Sequence, residues 1–110
     1  LVPADMPTLM GRAVSALPGE EVHIRGTIIG GSRAAVLVDY IGFPAQEAEG
    51  DAWLVSIEWP GLPSRAFWDY GYYELVGLPC QHEPGRFEAL RVFLTEVRIL
   101  KFEMPPEAAE

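Results

Sequence analysis

Cys80-Gln81-His82 and the distant His23 supply every soft metal-ligating side chain in the sequence. Zinc takes three or four ligands, commonly from closely spaced pairs. One Cys-x-His step with one further imidazole does not make such a set, so the three read as a small buried thiol and two surface imidazoles. No metal and no other cofactor is expected. The same residues are poor material for a Cys-His nucleophile, because nothing marks an orienting third group or an oxyanion hole. Glu47 and Glu49 are close enough to be paired carboxylates, but they stand among Gly, Pro and other acids, where solvated charge explains them. Asp69 lies between Trp68 and Tyr70, which leaves two readings, desolvation by the rings that raises its pKa or a bond to a backbone amide near the helix end; it has no partner base or second carboxylate nearby in sequence, so it is not read as catalytic. Gly30-Gly31-Ser32-Arg33 has neither P-loop nor dinucleotide-loop spacing and joins two strand-like runs, so it is a turn and not a phosphate cradle. No catalytic residue emerges, and the chain reads as a non-enzyme.

The elements that position these residues are mostly strands. Val22, Ile24 and Ile28 alternate with His23, Arg25 and Thr27, the pattern of a half-buried strand, and Gly26 takes an inward place where a bulge or tight bend is expected. After the 30–33 turn, Ala34 to Tyr40 forms a second strand rich in β-formers. Residues 42–51 lose periodicity and read as an exposed acidic loop. In the third strand Trp53, Val55, Ile57 and Trp59 face the core, while Leu54, Ser56 and Glu58 face outward. Pro60-Gly61-Leu62-Pro63 ends it, and Ser64 can cap a short helix through Tyr70, closed by Gly71. Residues 72–77 are the fourth strand, and residues 89–100 the fifth.

Residues 1–20 hold Pro3, Pro7 and Pro18. Leu9, Met10, Ala13, Val14 and Leu17 have helical spacing with Thr8 as the cap, which leaves a short helix or an extended lead-in as the two readings. Residues 21–101 form the β domain, and 102–110 is an acidic tail expected to be disordered. A chain of 110 residues, 49% hydrophobic, is sized for one core. One cysteine permits no internal disulfide. No apolar run approaches a bilayer span, and no basic segment leads into an apolar stretch at the start, so a cytoplasmic, soluble protein without membrane contact is expected. Net charge is −8, from 16 acids and 8 bases, a field that repels phosphate at long range. Residues 22–101 hold 10 of the acids and 7 of the bases, so the body itself is only mildly acidic.

Three strands, a short helical connection and two more strands is the order of an OB-fold. Pro18-Gly19-Glu20-Glu21-Val22-His23-Ile24-Arg25-Gly26-Thr27-Ile28 resembles the opening strand of OB domains, Gly71 to Gly77 their fourth strand, and Leu90 to Leu100 their last. The resemblance spans residues 16–101 and implies a mainly β fold, a small five-stranded antiparallel OB-like barrel with one helix between strands three and four. It also implies an accessory binder of single-stranded DNA or RNA, with aromatic platforms beside cationic loops. On that reading Arg33 and Arg86 lie in loops, Arg65 lies in the helical connection, Arg25 and Arg91 lie on strands, and Tyr40, Phe67, Trp68, Tyr70 and Tyr72 are the rings. The outward face of strands two and three, however, offers Leu37, Asp39, Leu54, Ser56 and Glu58, which suits a protein partner better than phosphates. The alternative is therefore a protein-interaction module, or one subunit of a heteromeric assembly, using the Leu37 and Leu54 face. A sugar or small ligand framed by Trp59, Trp68 and Tyr70 is a third, lesser reading.

Overall fold

A computed structural model describes residues 2–14, 20–29, 35–61, 67, 68, 70–80 and 90–104. Its elements are β1 (Val2–Pro3), α1 (Met6–Val14), β2 (Val22–Ile28), β3 (Ala35–Gly42), β4 (Gln46–Glu58), β5 (Tyr72–Pro79) and β6 (Leu90–Glu103). They make one sheet in the order β1-β4-β3-β2-β5-β6, and β4 pairs with β6 as well. Five strands, β2 to β6, therefore close into a ring.

The expectation of an all-antiparallel arrangement is corrected at the closure. β4 and β6 run parallel, from Val55 opposite Leu90 to Glu58 opposite Phe93. The reason is parity: in a closed ring of five strands, directions cannot alternate all the way round, so one neighbouring pair must be parallel.

Strand alternation places the core as the sequence pattern requires. Val22, Ile24 and Ile28 of β2, Val36 and Val38 of β3, and Val55 and Ile57 of β4 are buried inside the ring. Trp53 and Trp59 pack against this cluster while half-buried. The register of β2 against β3 shifts between Arg25 and Gly26, so the bulge falls opposite that glycine, with Asp39 of β3 as its extra residue. A Cβ on Gly26 would lie 2.4 Å from the Leu37 carbonyl oxygen, so only glycine lets the two backbones approach this closely.

Two further expectations are corrected. Among the described residues the helix lies in the lead-in, at Met6–Val14, and none is found between the third and fourth strands. There, residues 62–66 and 69 are outside the described residues, and Phe67, Trp68 and Tyr70 are not helical. Helical spacing of Met6, Leu9, Met10 and Ala13 gives α1 one apolar face, which is buried in the same core as the strands. Asp5, not Thr8, caps it. The Thr8 N–H donates to Asp5 Oδ2 at 3.0 Å, and the Thr8 hydroxyl also donates to the carboxylate.

The acidic segment 42–51 is largely strand. Phe43 and Gln46 exchange backbone hydrogen bonds around Pro44-Ala45. From there Glu47, Ala48 and Glu49 pair with Gly42, Ile41 and Tyr40. Phe43 and Ala48 are buried in the core, and between and beyond them the run looks polar. β1 adds a parallel partner beside Gln46 and Glu47. At the other end, β6 extends to Glu103, past the expected start of the tail; residues 105–110 lie outside the described residues. No helix among the described residues is long and apolar enough to cross a membrane.

Candidate binding surface

Arg25 stands on the outward side of β2 and anchors the most developed polar site among the described residues. Its guanidinium carbon lies 3.7 Å from the centroid of the Tyr40 ring on β3, a cation–π stack. The Tyr40 hydroxyl donates to Glu47 Oε2 at 3.0 Å, and the Tyr72 hydroxyl on β5 donates to Asp39 Oδ1 at 2.8 Å. Arg25 also lies 3.8 Å from a Glu49 oxygen. Asp39 falls where the β3–β4 register shifts between Val38 and Tyr40. Arg25, Asp39, Glu49, Gly50 and Tyr72 line an open depression of about 410 Å³.

Electrostatically this depression is acidic. Burial, then the hydrogen bond to Asp39, push the Tyr72 hydroxyl up to about 12. Burial and then Glu47 raise Tyr40 in the same direction. Each tyrosine is thus held as a neutral donor to a carboxylate. The one cation present is turned onto a ring and a carboxylate, which leaves little positive potential for a phosphate.

The other sequence candidates fall into three groups. Arg33, Arg65 and Arg86 lie outside the described residues, as do His82 and Asp69. Arg91 stands 3.2 Å from Glu58 across the β4–β6 closure. Phe67 is buried, packed edge-on between Trp59 at 5.7 Å and Tyr73 at 4.9 Å, and so serves the core and not a stacking platform. Trp68 and Tyr70, by contrast, are 57% and 61% exposed. Tyr70 adopts a left-handed backbone with φ of 64°, while its N–H donates to the Ile28 carbonyl at 2.7 Å.

Leu37 and Leu54 face each other directly across β3 and β4. Leu54 is 58% exposed and Leu37 half-buried. Asp39 and Glu49 were visible in the sequence as surface acids but not as partners of Tyr72 and Arg25; the exposed apolar Ile99, Leu100 and Phe102 of β6, with Met104 just beyond it, are additions that sequence reasoning missed. For β6 a signal was available: Ile99 and Leu100 are consecutive apolar residues between Arg98 and Lys101, which breaks the alternation of Val97 to Glu103 where the bulge falls. Among the described residues, no three of His, Cys, Asp and Glu gather in a metal-binding group.

Comparisons with protein-family models, curated proteins and solved structures find no match to the chain.

Proposed function

We propose that the chain is a non-enzymatic binding domain of OB-like type whose partner is another protein, met on the outward face of β3 and β4 around Leu37 and Leu54. The observation that carries this reading is a contrast between charge and apolar exposure. All four described arginines lie within ion-pair distance of a carboxylate of this chain: Arg12 with Glu20, Arg25 with Glu49, Arg91 with Glu58, and Arg98 with Glu21. Large apolar side chains, Leu54 and Trp68 among them, are left toward solvent. Protein contacts draw on apolar anchors of this kind, whereas nucleic-acid affinity draws on cations available to phosphate.

A second reading, a single-stranded nucleic-acid binder, is favoured by the exposed pair Trp68 and Tyr70 beside the strand that carries Arg25. Titrating labelled deoxythymidine and uridine oligomers across a salt series separates the two. The protein-partner reading expects no binding at low salt and no quenching of Trp68. Binding that weakens steeply with salt would instead establish the nucleic-acid reading.

A further inference from the structure

β6 is the longest strand, and its two sides are used unequally. Leu90 to Phe93 pair with β4, and Leu94 to Glu103 pair with β5. β4 ends at Glu58, opposite Phe93. Among the described residues, no strand lies against the second edge of Leu94–Glu103, so alternate backbone N–H and C=O groups on that edge have no ladder partner among them. This stretch and Met104 also carry exposed Ile99, Leu100, Phe102 and Met104.

Two irregularities delimit the edge. Glu96 has a left-handed φ of 52°, which ends the straight run on its N-terminal side. Further on, Leu75 faces Ile99 and Glu74 faces Lys101, so Leu100 is the extra residue of a bulge. The bulge shifts the alternation. Ile99 and Phe102, three apart, lie on the side of the buried Leu75 and Tyr73. Arg98, Lys101 and Glu103, opposite Val76, Glu74 and Tyr72, share the outer side.

We propose that Val97–Met104 pairs antiparallel with the same segment of a second copy of this chain, about a two-fold axis normal to the sheet. Such an axis brings together only residues on the same side of the sheet. Setting Arg98 opposite Glu103 meets that condition and also places Ile99 opposite Phe102. Symmetry makes each contact twice, so two charge pairs form on the outer side and two apolar pairs on the inner. Setting Arg98 opposite Lys101 would oppose like charges twice, and Arg98 opposite Phe102 would mix the two sides. Setting Lys101 opposite Glu103 would also match charges on the outer side, but it pairs only Leu100–Met104, whereas the Arg98–Glu103 register pairs the whole of Val97–Met104. Complementarity and paired length together select one register. Arg98 now meets Glu21 at 2.9 Å on an exposed surface, a pair weak enough to exchange.

Sedimentation velocity on the full chain tests this, over concentrations from roughly 1 μM to about 1 mM, the range of weak association. A concentration-dependent dimer is expected. Arg98→Glu and Glu103→Arg should each raise the dissociation constant by about tenfold, because each reverses two cross-strand pairs. Combining them should restore it. Circular dichroism reports folding of every variant, and amide exchange in the unmodified chain gives a second readout: protection of Val97–Met104 should rise with concentration. A chain that is monomeric throughout overturns the proposal while leaving the partner-protein reading of the β3–β4 face in place. A dimer indifferent to both charge reversals, or one without added protection on β6, also overturns it.

Discussion

Tyr72 shows how one hydroxyl ties the polar surface to stability. It lies across β2 from Asp39 and donates to that carboxylate, so Tyr72→Phe should cost about 1.5–3 kcal/mol, the net value of a hydrogen bond to a charged group. Its folded pKa is raised from 10.0 to about 12. The stabilisation is therefore complete below pH 10 and is lost as pH rises toward 12, because the unfolded chain ionises first. Thermal melts across that window should show a falling limb in the unmodified protein and a shallower one in Tyr72→Phe; Tyr40, raised in the same sense, supplies what is left. Equal slopes in the two proteins would show that Tyr72 is not the group responsible. Arg25, Tyr40 and Tyr72 were legible as candidates from residue type alone. Their partners were not, since Asp39 reaches Tyr72 over 33 residues of sequence, and no local pattern encodes that distance. Gly26 was the better marker, because a glycine at an inward strand position has few reasons to be there except close backbone approach.

At the scale of elements, α1 depends on Asp5 at its start and on four buried side chains along one face. Hydrogen bonds from the Thr8 side chain and backbone hold the Asp5 carboxyl below its ordinary 3.8. A depressed pKa stabilises the fold above the unfolded value, and this contribution fades as pH falls through the folded one. Asp5→Asn keeps an acceptor at the cap but no charge to titrate. Its melting temperature should lie slightly below that of the unmodified protein near neutrality, with the two curves converging in acid. Parallel curves from neutral to acid pH would remove Asp5 from the account. The helix itself was half-legible: its spacing was visible, but the three prolines of the lead-in argued equally for extended chain, and only the tertiary face offered by the ring decides between them. Residues 42–51 misled for the opposite reason. Strand pairing there rests on buried Phe43 and Ala48, five residues apart, and on backbone bonds to β3 and β1, none of which leaves a hydrophobic alternation to read.

For the molecule as a whole, the number of strands carried more information than any motif. Five strands that close must include one parallel pair, and β4 and β6, the two ends of the antiparallel run β4-β3-β2-β5-β6, provide it at Val55 to Glu58 and Leu90 to Phe93. Which strands would close was not readable, since closure joins segments 35 residues apart. The consequence for dynamics follows from how each strand is flanked. β2 is paired on both sides, by β3 and β5, over nearly its whole length. The distal half of β6 has a strand partner on one side alone among the described residues. Opening free energies follow such packing: doubly paired strands exchange through global unfolding and singly paired ends through local opening. Amide exchange in dilute solution should therefore find Ile24 to Thr27 protected to the global limit, and Val97 to Glu103 exchanging orders of magnitude faster. Uniform protection of both segments at that dilution would mean that the second edge of β6 is covered within a single chain, and the ring could not then be extended from that side.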